Sequence, residues 1–276
     1  MENQVIGLLE IFANLPGWWI FPLTGLLAGV LAGCFGIGGG LVVVPVLAWV
    51  YAGMELAEPV RMHLAIGTSL ATIVPTSLSS IYAHHRRGAV LWRVFSRLVP
   101  GILAGGLAGA ALANALDFPQ LKFLFSCLLL LIALRIAIDS KPVGRREMPG
   151  RAGMTMAGIG IGTVAALGGI GGGVLTNPYL LWCSVDIRRS VATAAACTLP
   201  VALAGSAGFI LAGLDADGLP QFSSGYVYWP AVAGMAAASL FGAPLGAAIA
   251  HNAPTRGLRR ALAILLMIVG LKMLLY

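Results

Sequence analysis

Apolar runs close to the ~20 residues that cross a bilayer recur along the whole chain, Leu121 to Ile138 and Leu258 to Tyr276 among them. A Gly-rich apolar stretch from Trp18 to Tyr51 comes first, then Met62 to Ala83, Val90 to Ala115 and Leu121 to Ile138. A polar, basic linker follows from Asp139 to Arg151, with Pro142 and Pro149 inside it. A second Gly-rich stretch, Ala152 to Cys183, leads into Ser190 to Gly213, Tyr226 to Ala250 and Leu258 to Tyr276. The order on either side of the linker is the same: one Gly-rich stretch, then three helices.

An internal repeat supports that division. Gly36-Ile37-Gly38-Gly39-Gly40 matches Gly169-Ile170-Gly171-Gly172-Gly173 at an offset of 133 (169 − 36), and Pro45 with Pro178 and Leu47 with Leu180 keep it. In the next helix Thr68 and Pro75 match Thr193 and Pro200 at 125 (193 − 68). The change of eight is expected as a longer loop around Glu55 to Glu58. Towards each end Gly105, Gly109, Leu121 and Arg135 match Gly242, Gly246, Leu258 and Lys272 at 137 (242 − 105). The units are therefore 1–139 as first repeat, 140–151 as a cytoplasmic basic linker and 152–276 as second repeat.

Positive charge orients the chain. Cytoplasmic loops attract Lys and Arg, while acidic residues contribute little. The basic groups are His84-His85-Arg86-Arg87 with Arg93 and Arg97, the linker's Lys141, Arg145, Arg146 and Arg151, then Arg188-Arg189, and Arg256, Arg259 and Arg260. With all four groups and Arg135 inside, only Arg61, Lys122 and Lys272 of the 17 Lys and Arg residues lie outside. The linker and Arg188-Arg189 then share a side, so 152–183 turns back on itself; 18–51 does the same from outside. Three further crossings per half make the repeats inverted. The expectation is an all-α integral membrane protein of two inverted repeats, each a Gly-broken helical hairpin plus three transmembrane helices.

Composition agrees. The chain is 59% hydrophobic and 10% charged, with a mean hydropathy of +0.92, against about 25% charged in soluble domains. The net charge of +7 sits in short loops, which points to a bilayer rather than nucleic acid. The first seventeen residues carry Glu2 and Glu10 and no Lys or Arg, so they read as mature protein rather than a cleaved signal. Cys34, Cys127, Cys183 and Cys197 lie in apolar segments without a Cys-x-x-Cys pair and read as packing.

A helix broken at Gly-x-Gly-Gly-Gly leaves backbone N–H and C=O groups without partners, tolerated in a membrane only where protein or a wet cavity surrounds them. A half-helix starting there offers free N–H groups and a positive dipole end to an anion, a design known at the midplane of inverted-repeat transporters. The competing reading is close helix packing through small residues. Gly38, Gly39, Gly40, Gly171, Gly172 and Gly173 are therefore the first candidate site residues. Thr68, Ser69, Asn177 and Thr193, with Thr76, Ser77 and Thr198 nearby, could complete an oxyanion shell, or bond their own helix carbonyls. No Asp, Glu, Lys or Arg sits mid-segment, His63 and His251 lie near segment ends, and His84-His85 belongs to a basic loop. No Walker loop, no His-Glu-x-x-His and no catalytic constellation is visible, so neither an enzyme nor a metal or cofactor site is expected.

These residues resemble the TauE/SafE sulfite exporter family. The resemblance rests on Gly29-x-x-x-Gly33-x-x-Gly36-Ile37-Gly38-Gly39-Gly40 with Pro45 and Leu47, on Ala65-Ile66-Gly67-Thr68-Ser69-Leu70, and on Gly168-Gly169-Ile170-Gly171-Gly172-Gly173 with Asn177-Pro178. It implies a multi-pass permease of a bacterial inner membrane for small sulfur-containing anions such as sulfite or organosulfonates. Export by alternating access is the expected mode, with a homodimer as the candidate assembly. An anion channel and a membrane subunit serving a sulfur-metabolism enzyme are the alternatives. Ala194-Ala195 stands where the first half has Ser69-Leu70, so the halves need not contribute equally.

Overall fold

The computed structural model describes residues 19–35, 39–54, 56–138, 147–252 and 255–275. It is helical almost throughout. The first Gly-rich stretch forms α1 (Ile20–Phe35) and α2 (Gly40–Gly53), followed by α3 (Glu58–Arg86), α4 (Trp92–Asn114) and α5 (Phe118–Ala137). The second forms α6 (Arg151–Leu167) and α7 (Gly173–Trp182), followed by α8 (Ile187–Ala212), α9 (Trp229–Asn252) and α10 (Thr255–Leu275). Four described helices, α3, α4, α5 and α8, are long and apolar enough to cross a membrane. By contrast α7 has 10 residues and reaches about 15 Å, half a bilayer.

Each break falls where the glycines are. Gly169 has φ 58° and Gly39 has φ 72°, a left-handed conformation that only a residue without Cβ adopts cheaply. In the second turn α6 ends with Gly169 N–H on the Ala166 carbonyl (3.1 Å) and Ile170 N–H on Ala165 (3.0 Å). Residues 165–173 are all buried, so this irregular backbone is enclosed in protein.

The eight extra residues of the first half are not a loop. Four residues separate α2 from α3 (54–57) and four separate α7 from α8 (183–186). Instead α2 is four residues longer than α7, 14 against 10. Thr68 also lies ten positions into α3 from Glu58, where Thr193 lies six into α8 from Ile187. Four residues per helix is close to one turn of 3.6, so the hairpin grows by a turn on each side and keeps the same faces in contact.

A second correction concerns Tyr226. The residue does not begin a helix; it lies with Gly225 in the turn joining a two-stranded antiparallel ladder, Ser223–Ser224 (β1) against Val227–Tyr228 (β2). Gly225 at φ 52° turns the chain there, and α9 starts only at Trp229.

Packing exchanges partners between the halves. The most extensive contacts are α1 on α9 and α4 on α6. Both seams are made of glycine. Gly25 and Gly29 face the backbone of Met235 and Ser239, while Gly242 and Gly246 face Leu26 and Val30. In the other seam Gly101, Gly105 and Gly109 face Thr155, Ile159 and Thr163, while Gly158 and Gly162 face Leu98 and Ile102. Numbers rise together along each seam, so each pair runs in one direction. Gly25 and Gly29 match Gly158 and Gly162 at the offset of 133 already set by the glycine turns (158 − 25). In lipid, contact of this closeness is what holds helices together, because apolar burial gives no drive there.

α3 and α8 form the centre. Their apolar stretches are 61% and 67% buried, against 33% for α5, and every residue from Met62 to Ile73 is buried. Peripheral helices instead expose leucine and phenylalanine, such as Phe123, Leu131 and Phe241, the surface a bilayer covers.

Candidate functional site

The two glycine turns meet. Gly40, first residue of α2, lies against the Gly169 carbonyl, the Ile170 backbone and the Ile73 side chain; Gly169 lies against Val44 of α2 and Ile66 of α3. No side chain larger than hydrogen fits at Gly40 without displacing backbone. The glycines therefore do two things here, breaking the helices and letting the breaks touch.

Hydroxyls from the central helices hold the second turn. Ser69 Oγ, fully buried, donates to the Gly169 carbonyl at 2.8 Å. Thr198 Oγ1 accepts from Gly173 N–H at 3.1 Å and donates to the Ala194 carbonyl at 3.2 Å. Gly172 caps α7 and packs on Val201 and the Cys197 carbonyl. Thr176, in the first turn of α7, is fully buried, and its hydroxyl has no partner among the described residues. A buried hydroxyl left unpaired costs about 1–3 kcal/mol.

Thr68 and Thr193 occupy reciprocal places. Thr68 Oγ1 accepts from Tyr228 N–H at 3.0 Å and from the Tyr51 hydroxyl at 3.3 Å. Thr193 Oγ1 accepts from Leu91 N–H at 3.0 Å. Leu91 and Tyr228 are the residues just before α4 and α9, and they match at the offset of 137 (228 − 91). Each central helix thus uses its threonine to satisfy the entry amide of a crossing helix from the other half. Around Thr68, the rings of Tyr51, Tyr228 and Phe21 pack edge to face with centroids 6.2 Å apart in each pair.

The remaining candidates are placed as follows. Asn177 accepts from Ser190 Oγ at its side-chain oxygen (2.7 Å) and its carbonyl (3.0 Å), tying α7 to α8. Gly39, Gly40, Gly171, Gly172 and Gly173 are buried at the turns; Gly38 lies outside the described residues. Thr72, Thr76 and Ser77 bond carbonyls of their own helix. His63 directs Nδ1 at the Pro59 carbonyl (3.0 Å) and Nε2 at Ala113 (2.9 Å), joining α3 to the end of α4. Among the described residues the buried polar set holds Ser, Thr and this one His, and no Asp, Glu, Lys or Arg. Reading the sequence had passed over Thr176 and the tyrosines; Thr176 falls four positions after Gly172, one helical turn into the half-helix, and that spacing was the available signal.

Comparison with known proteins decides the family. The family model for sulfite exporter TauE/SafE matches residues 21–273. The chain is a member of that family. A "probable membrane transporter protein" of Haemophilus influenzae is 34% identical over 255 residues, covering 92% of this chain and 96% of its own length. Proteins with the same description from Methanocaldococcus jannaschii and, as YunE, from Bacillus subtilis are each 27% identical over 92% of this chain, covering 94% and 96% of their own lengths. No solved structure matches. A TauE/SafE member with four long apolar helices among the described residues is a multi-pass membrane transporter.

Proposed function

We propose that the chain exports small sulfur-containing anions, such as sulfite or a short organosulfonate, across a bacterial inner membrane by alternating access. One observation carries the reading. Gly40 and Gly169, buried at the two glycine turns, meet against α3, and one turn into α7 stands a buried Thr176 hydroxyl without a partner among the described residues. N–H groups and hydroxyls at a half-helix start favour an oxyanion. The lack of a buried cation among the described residues fits a carrier: a fixed charge, once its anion left, would stand unpaired in a medium where that is strongly unfavourable.

Two further observations support alternating access by inverted repeats. Both glycine seams are parallel, which suits α1 and α9 entering from one side and α4 and α6 from the other. The reciprocal clamps of Thr68 and Thr193 link each half's centre to the other half's crossing helix in the same way, which suits two halves of equivalent construction. Ser69 then shapes the site by holding the Gly169 carbonyl, Thr68, Thr193 and Asn177 by fixing the helices around it, and Gly39, Gly40, Gly171 and Gly172 present it.

Proteoliposome flux tests the proposal. Purified protein should give saturable uptake of radiolabelled sulfite or a two-carbon sulfonate, and counterflow when the lumen is preloaded with the unlabelled anion. A channel would give flux without counterflow. Absence of any sulfur-anion flux from folded protein would remove the substrate assignment and leave the membrane transporter.

A further inference from the structure

Away from the centre, α4 and α6 begin side by side. They run in one direction along their glycine seam, and Thr155 Oγ1 donates across it to the Arg97 carbonyl at 3.3 Å. A cleft of about 240 Å³ opens between their first two turns, lined by Arg93, Ser96, Arg97, Pro100, Arg151 and Thr155. At about 30 Å³ per water, that space holds a phosphate group with room to spare.

The charges in this cleft work against the fold. Cations at a helix start oppose the macrodipole, and two helices start here. Arg93 and Arg97 are also like charges at i and i+4, which destabilise a helix. No carboxylate lines the cleft, and no ion pair engages the three guanidiniums among the described residues. Positive-inside bias asks for Arg near a cytoplasmic loop; it does not ask three of them to line one cleft. An anion resolves all of these terms together.

The surface beyond the cleft says which anion. Pro100, Leu103 and Leu107 continue the Ser96 face of α4 at helical spacing, with Leu103 39% and Leu107 47% exposed, and Met156 of α6 is 67% exposed. A charged pocket running into an exposed apolar strip on a membrane-crossing helix matches a molecule with an anionic head and hydrocarbon tails. A free phosphate needs no strip. We propose that Arg93, Arg97 and Arg151 form a headgroup site for an anionic phospholipid, with its acyl chain lying over Leu103 and Leu107.

Native mass spectrometry of the full chain, titrated with phosphatidylglycerol or phosphatidylcholine, tests this. Phosphatidylglycerol should bind preferentially. Arg93→Gln with Arg97→Gln should weaken that binding about 25-fold, at about fivefold per arginine, while Arg188→Gln with Arg189→Gln leaves it unchanged. If the double variant fails to fold, Arg151→Gln alone should show the fivefold loss. Equal binding of the two lipids, or undiminished binding in the folded cleft variants, overturns the site. Displacement of the lipid by equimolar inorganic phosphate overturns the lipid in favour of a soluble anion.

Discussion

The two halves share a frame and differ at the turn. Thr68 with Tyr228 and Thr193 with Leu91 are the same bond made twice, 3.0 Å in each case. The glycine seams are likewise made twice with matched residues. At the turns the match fails. Ser69 reaches across to hold Gly169 of the other half, and its counterpart Ala194 has no hydroxyl to return the bond. Gly39 is left-handed at φ 72°, whereas Gly172, its counterpart, is right-handed at φ −55°. The frame is therefore near-symmetric while the turns are not.

The largest effect should come from forcing a Cβ onto the turns. Gly39→Ala faces both a left-handed backbone and the Ala28 main chain. About 1–2 kcal/mol for the conformation and about 1–3 for the contact give an expected loss of about 2–5 kcal/mol. Gly172→Ala meets mainly a Val201 methyl, which can shift, and should lose about 1 kcal/mol. Thermal unfolding in one detergent measures both. Equal losses would show that the turns are more alike than their dihedrals indicate.

A smaller effect tests the frame. Thr68→Val strands the Tyr228 amide and the Tyr51 hydroxyl, whereas Thr193→Val strands the Leu91 amide alone. At about 1–3 kcal/mol per unpaired buried group, both variants should be destabilised, with Thr68→Val the worse by about 1 kcal/mol. A null result at Thr193 alone would mean that only one clamp bears on the fold.

How much of this was legible follows from where the signal lies. The breaks and the repeat were readable because glycine marks a special backbone and appears twice in register. The clamps were not, since their donors are backbone amides of Leu91 and Tyr228, and any residue type carries one. Glu55 to Glu58 looked like an inserted loop because polar residues gather there, yet adding one turn to each arm of a hairpin leaves the same trace in sequence. Tyr226 looked helical through apolar content, yet with Gly225 it forms the turn of a short hairpin. Arg93, Arg97 and Arg151 were visible as loop charge, but their convergence depends on the parallel seam of α4 and α6.

The smallest expected change in stability is the one that bears most on the site. Thr176→Val keeps the side-chain shape and removes a buried hydroxyl that has no partner among the described residues. For a purely structural residue, losing an unsatisfied polar atom is neutral or stabilising, up to about 1 kcal/mol. Val43 holds the matching place in the first half and is buried in turn, so valine suits this position of the hairpin. If Thr176 donates to the bound anion, the same substitution removes one hydrogen bond to a charged group, about 1.5–3 kcal/mol. Half-saturating concentration for sulfite should then rise by at least about tenfold while the unfolding temperature holds or climbs. Stability and transport moving in opposite directions would place the anion at the second turn; unchanged flux would move the binding role to the first turn, where Gly39 and Gly40 stand without a threonine at position 43.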